Sequence, residues 1–267
     1  MRAQVLGVGL WMPGFPDATS WLSGRAVVPG AGADAPPAAA KQRRRSSLLV
    51  NMVADVAAQA SAQAGVPLSR LRVVVGSAFG ELTTLVEMLE ERERDGLLSP
   101  LRFQNSVHNS AAGQLSIASK NKAPAMSLAA GNDTVAMVLL EAMTLLALGG
   151  DEVIAIVADE PLPQVIAPGH PTGAVAAAIV LAAADGSAPG AQPARAVLED
   201  LRGTHSAPDV AARPQEVDRP CAAILPLIAA LGHGRDGRVS VSPAEDPRWS
   251  IMVRDARMVR DARMVPA

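Results

Sequence analysis

The chain has 267 residues and a formal charge of -2, from 24 Lys and Arg against 26 Asp and Glu. That length supports a sizeable core in one large domain, and the balanced charge excludes a global basic field of the kind that draws in nucleic acid or an anionic membrane. A single cysteine, Cys221, excludes an internal disulfide framework and the CxxC spacing of zinc and redox sites, so no metal is expected.

Arg2 to Leu10 predicts a first strand, followed by a Pro and Gly loop and a short element, Ser20 to Ser23, that covers a sheet edge. The opening MRAQVLGVGLWMPGFP has one Arg and an apolar run broken by Pro13, which is too short for a signal core or a span. A cytoplasmic protein without a membrane span is therefore expected. Pro29 to Ala40 reads as low-complexity loop. Within Lys41 to Gly65 the apolar residues Leu48, Leu49, Met52, Val53, Val56, Ala57 and Ala60 recur at helical spacing, and Gly65 and Pro67 end the pattern. Leu71 to Val75 predicts a strand buried on both faces, and Gly80 to Arg94 a helix whose Glu81, Glu87, Glu90, Glu91, Glu93, Arg92 and Arg94 form a charged surface.

Ala123 to Glu160 reads as strand, tight turn, apolar helix, Gly stop and second strand, with Gly131-Asn132-Asp133 at the turn. The run Val135 to Leu148 is short and interrupted by Glu141 and Thr144, which fits a buried helix better than a membrane span. Gly173 to Ala183 leads into another buried strand. After Asp185 the composition shifts to Gly, Pro, Asp and Arg, with elements at Ala194 to Leu201, Cys221 to Leu231, Arg238 to Val241 and Arg248 to Val253. The end repeats itself, RDARMV at Arg254 to Val259 and again at Arg260 to Val265, and reads as a disordered duplication. The expected organisation is one domain over 1–253, with a core over 1–185 and a less regular part over 186–253, then a tail over 254–267. Alternating strands and helices predict an α/β layered domain.

Three segments, QVLGVGLWMPG, VVVGSAFGEL and RFQNSVHNSAAGQLSIASKNKAPAMSL, resemble the N-terminal half of a β-ketoacyl synthase. They match its opening strand and glycine turn, the strand toward the substrate side, and the stretch before the nucleophile. This thiolase-like fold has five α/β/α/β/α layers when both halves are present, and the resemblance implies layered α/β/α with a mixed sheet for the one half. More narrowly, NSVHNSAAG with the acidic turn is similar to short β-ketoacyl-synthase-like proteins of bacterial aryl polyene and xanthomonadin-type pigment clusters, described as chain-length factors.

The resemblance implies a cysteine at the start of the apolar helix, where free N–H groups and the helix dipole favour a thiolate. Counting back from Gly149 places that position at Asn132, or one residue earlier at Gly131, and neither forms an acyl thioester. The two histidine loops of the family's C-terminal half have no match. The implied outcome is a fold without condensation chemistry: no catalytic residue at Gly131, Asn132 or Asp133, no independent activity and no cofactor. The chain would pair as a chain-length-factor-type subunit with an active ketosynthase, in fatty-acid-like or aryl polyene polyketide biosynthesis. The helix over 135–148, apolar almost all round and without a second half-domain to cover it, is expected to seek that partner. Phe103, Asn105, His108, Asn109 and Met137 are the candidates for the interface or acyl tunnel, and Arg43, Arg44 and Arg45 for docking an acidic acyl carrier protein. The alternative is a stand-alone acyl-carrier-dependent decarboxylase or acyltransferase, using Asn132, His108 or a nearby serine and the oxyanion stabilisation of a helix N-terminus.

Simpler roles compete for the same residues. Asn132 and Asp133 are first of all expected to cap the helix they precede. His108 lacks an evident catalytic partner, and His170, His205 and His233 have no metal-type spacing. VGSAFG lacks the glycine two residues before Ser77 that a nucleophile elbow requires. GVG at Gly7 lacks the third glycine and helix start of a dinucleotide fingerprint. KQRRR reads as the solvated entry to a helix, because only 2% of residues are aromatic and none nearby could stack on bases. Cys221 opens the apolar run CAAILPLIAALG and is expected to be a buried, inert thiol.

Overall fold

The structure is a computed structural model that describes residues 1–27, 46–169, 173–184, 192–203 and 219–256. Eight strands form one mixed sheet: β1 (Arg2–Trp11), β2 (Arg72–Gly76), β3 (Ala125–Leu128), β4 (Glu152–Asp159), β5 (Val175–Ala183), β6 (Ala196–Gly203), β7 (Gly237–Ser240) and β8 (Trp249–Asp255). Their order is β3-β2-β4-β5-β1-β6-β8-β7, with β2 parallel to β3 and β4 and every other neighbour antiparallel.

Strand periodicity sorts the core into two layers. On β5, Val175, Ala177, Ile179 and Leu181 face one side, and Ala176, Ala178, Val180 and Ala182 the other. The second side receives α2 (Leu48–Ala64) and α5 (Ser110–Ala118). The first receives α1 (Ala18–Leu22), α6 (Thr134–Ala147), a 3-10 turn over Pro220–Ile224 and α7 (Leu225–His233). The result is three α/β/α layers, and α3 (Leu82–Asp95) and α4 (Pro100–Asn105) connect β2 to α5.

Helix α2 shows why these residues take this arrangement. Ser47 caps it, its Oγ accepting the Val50 N–H at 3.1 Å, and Gly65 ends it in the left-handed region at φ 67°. Leu49, Met52, Val53 and Val56 are buried against the sheet, each contributing about 2 kcal/mol of apolar burial. Gly7 and Gly9 set how close the helix comes, because a Cβ at either would overlap the carbonyl oxygen of Ala60 or Val56. They are mid-strand packing positions, and the glycine turn that follows the strand is made by Gly14, at φ 79° between the bridged Met12 and Phe15. Strand β6 pairs only with Arg2 to Val5 of β1. Beyond it the Val8 and Leu10 N–H groups donate to the side-chain oxygens of Gln63 and Gln59, at 2.6 and 3.2 Å.

Two expectations change. The apolar helix α6 is not left open, because the Pro220–Ile224 turn packs against it and α7 belongs to the same core layer. The C-terminal third thus extends the sheet by β6, β7 and β8 and covers α6, work that a second half-domain was expected to do. The last strand, expected to end at Val253, runs to Asp255, while residues 257–267 of the repeated tail lie outside the described ones. Among the described residues no helix is long and apolar enough to cross a membrane.

Candidate functional site

The parallel strands β2, β3 and β4 end together, and the carboxyl end of a parallel sheet is where α/β folds place chemistry. Three short segments meet there: Ser77 to Glu81 after β2, Gly131 to Asp133 after β3, and Asp159 and Glu160 closing β4.

After β3 the chain makes a 3-10 turn over Gly131–Asp133, with Gly131 at φ 54°, and enters α6. The side chain that closes this turn is Thr134, fully buried. Its Oγ1 donates to the Gly131 carbonyl at 2.7 Å and accepts the Ala130 N–H at 3.1 Å. Neither Asn132 nor Asp133 caps the helix, which corrects the sequence expectation: a threonine one position later reaches both orphan groups of the tight turn. Asn132 points outward and is exposed. Asp133 Oδ2 pairs with Arg248 Nη1 at 3.3 Å, and Arg248 Nε also meets Asp246 Oδ2 at 2.9 Å. An arginine from the segment between β7 and β8 therefore lies against the turn at the head of α6.

The chain's thiol is elsewhere. Cys221 is fully buried in the 3-10 turn before α7; its N–H donates to Asp159 Oδ2 at 2.9 Å and its Sγ lies 3.9 Å from the Gly76 carbonyl oxygen. Burial, then the Asp159 charge, push the thiol well above its ordinary pKa, so it stays protonated. Asp159 joins this turn to the loop after β2: its Oδ1 accepts Ser77 Oγ at 3.0 Å and the Ala78 N–H at 2.9 Å. Burial raises its pKa despite those donors. Glu160 and Glu81 are buried beside it and raised for the same leading reason.

His108 Nε2 is 3.0 Å from the Ser77 carbonyl oxygen, and since a carbonyl only accepts, that nitrogen carries the proton. The ring lies over Gly80, where φ is 59° and a Cβ would press on His108 Cδ2. His108 thus pins the loop after β2. Asn105 ends α4, its Oδ1 accepting Gln114 Nε2 at 3.1 Å; Asn109 is exposed at the head of α5, and Phe103 is 58% exposed on α4. Met137 is separate, half-buried on α6 across the sheet from α5. Arg43, Arg44, Arg45, His170 and His205 lie outside the described residues.

Two features were not foreseen. Three acids, Glu81, Asp159 and Glu160, are buried at the ends of β2 and β4, and their only sequence signal is the pair of carboxylates ending the apolar run of β4. The segment after β2 is also apolar where it meets solvent: α3 buries only Met88, while Leu97, Leu98, Leu101, Phe103 and Val107 are exposed. Next to β2, strand β3 is an outer strand of the sheet with one bonded neighbour.

The chain matches the family model of the β-ketoacyl synthase, N-terminal domain, over residues 20–227. A chain of the ketosynthase (ApeO) in complex with its chain length factor (ApeC) from Xenorhabdus doucetiae superposes with a TM-score of 0.67 at 20% identity, covering 94% of this chain and 99% of that one. The ishigamide ketosynthase/chain length factor gives 0.60 at 18% identity, with 88% of this chain and 74% of that one covered. A chain of the AntDE:AntF assembly, a type II acyl-carrier protein in complex with its ketosynthase, gives 0.63 at 15% identity, with 75% and 67% covered. A search of curated protein sequences finds no match. At these identities the structural likeness establishes a thiolase-like fold.

Proposed function

The chain belongs to the β-ketoacyl synthase N-terminal domain family, and from that premise we propose that it is a chain-length-factor-type subunit, without condensation chemistry of its own, that pairs with an active ketosynthase. One observation carries the reading. The head of α6, where the family resemblance puts the nucleophile, carries Gly131 and Asn132 beside an ion-paired Asp133, and the thiol of Cys221 is buried and protonated in another turn. An amide is no nucleophile at neutral pH, and an arginine-bound carboxylate is a poor one.

Physical arguments support the pairing. The exposed apolar side chains between Leu97 and Val107 resemble the unburied half of an interface. The outer strand β3 leaves hydrogen-bonding groups for another chain. Phe103 and Asn109 lie on this side and are our candidates for shaping a partner's acyl tunnel. The superposed chain from the Xenorhabdus doucetiae assembly is of comparable length, since nearly all of each chain is covered. We place the chain in polyketide assembly of the aryl polyene type, with Arg43, Arg44 and Arg45 meeting an acidic acyl carrier protein.

The test is product analysis. A ketosynthase from the same gene cluster is assayed with and without this chain, and the expected result is a changed product length or a required second subunit. Identical products in both reactions contradict the reading. Release of carbon dioxide by this chain alone from a malonyl-loaded carrier protein would instead support independent decarboxylation.

A further inference from the structure

Glu81 follows β2 and Glu160 follows β4; they are 2% and 5% exposed. Among the described residues neither makes an ion pair. Instead, two helix N-termini converge on them. Glu160 Oε1 accepts the N–H of Thr83, the second residue of α3, at 3.1 Å, and the N–H of Leu49, the second residue of α2, is a further donor. Glu81 Oε1 accepts the hydroxyl of Ser47, the residue capping α2, at 2.8 Å, and its Oε2 accepts the Thr84 hydroxyl at 3.1 Å. The first turns of α2 and α3 are therefore joined through two carboxyl groups.

Apart from this junction α3 is lightly held, with Met88 its one buried side chain and α4 its main neighbour. The charged groups on the surrounding elements offer no compensation. Asp159 adjoins on β4, Glu87 lies on α3 and is held by Arg102 of α4, and Asp55 is on α2. The imidazole of His108 is engaged with the Ser77 carbonyl. Helix N-termini and hydroxyl donors favour the ionised acids, while burial and the neighbouring like charge oppose them.

We propose that Glu81 and Glu160 form a proton-operated clasp: α3 and α4 are seated on the body while one of the two carboxyls carries a proton, and loosen when both ionise. Burial, with the Glu160 charge adding, brings Glu81 up to about 7, so the clasp works near neutrality. Because α3 and α4 lead into the exposed Leu98, Leu101 and Phe103, the clasp regulates the surface assigned above to the partner. That consequence rests on the proposed function; the clasp is a property of this chain alone.

Hydrogen exchange on the isolated chain tests it. With intrinsic rates corrected, protection of amides in α3 should fall about tenfold between about pH 6 and about pH 8, as a one-proton linkage requires, while α6 stays unchanged. Glu81→Gln should weaken the dependence, and the double variant Glu81→Gln with Glu160→Gln should remove it. Wild-type protection independent of pH, or dependence retained in the double variant, overturns the clasp. Should the variants fail to fold, the Glu81 carboxyl carbon is titrated by NMR in the wild-type protein. A midpoint near neutrality supports the clasp, and one at the ordinary glutamate value overturns it.

Discussion

Arg248 Nη1 lies 3.3 Å from Asp133 Oδ2, so the segment between the last two strands is fastened to the turn at the head of α6. Both groups are partly solvated, with side-chain exposures of 49% and 26%, and an ion pair of that kind contributes little to stability. Arg248→Ala is expected to cost under about 1 kcal/mol in urea unfolding while speeding exchange of the amides around Asn132. A loss of several kcal/mol would mean that the pair supports the fold and does not merely cover the turn.

A thiol placed at the head of α6 should not by itself create condensation chemistry. Asn132→Cys places sulfur at an exposed position, but Arg248 remains against the turn and no histidine motif loops accompany it. The expected result is a thiol that thiol reagents alkylate, with no condensation of acyl and malonyl carrier substrates above the wild-type background. Condensation by this variant alone would show that the rest of a catalytic site is present.

Asp159 joins the loop after β2 to the turn before α7 through three donors, Ser77 Oγ, the Ala78 N–H and the Cys221 N–H. Asp159→Ala leaves all three without an acceptor, Ser77 Oγ and the Cys221 N–H buried, and should cost about 3 kcal/mol. Asp159→Asn keeps one acceptor oxygen and should cost less. Urea unfolding at neutral pH checks both, and two variants equal to wild type would contradict the assignment.

Stability should fall as pH rises from mildly acidic to neutral. Glu81 has a folded pKa of about 7 against 4.5 for the free side chain, so its contribution is fully present below about pH 4.5 and is lost as pH rises through about 7. The swing is on the order of 3 kcal/mol. Glu160 and Asp159 are raised too and act in the same direction, so Glu81→Gln should reduce the slope without abolishing it. Urea midpoints across this range, with the variant alongside, provide the check. A wild-type midpoint that does not change would contradict the buried placement of Glu81.

Most of the scaffold is legible because burial leaves a simple pattern. Leu48 to Ala60 shows helical spacing, the β-branched run at Val73 to Val75 reads as a strand, and Gly65 marks a helix end where the chain does turn left-handed. What escapes reading depends on distant partners. Thr134 rather than Asn132 closes the turn because of the local geometry of a 3-10 entry. Nothing near Arg248 in the chain signals that it meets Asp133. The cover over α6 comes from the Gly- and Pro-rich third, whose short elements are legible as runs but whose places in the sheet and against α6 are not. Glu81 reads as one of several surface glutamates on a charged helix, and only the sheet's topology brings it to Glu160.

The central claim is that this chain works by pairing. The direct measurement is size-exclusion chromatography with light scattering after co-expression with a ketosynthase from the same gene cluster. The wild-type chain should elute with it as a stoichiometric complex, and Leu101→Asp together with Phe103→Asp, both at exposed sites, should dissociate it while leaving each chain folded. Two separate monomer peaks for the wild-type pair at every concentration and salt would contradict the account.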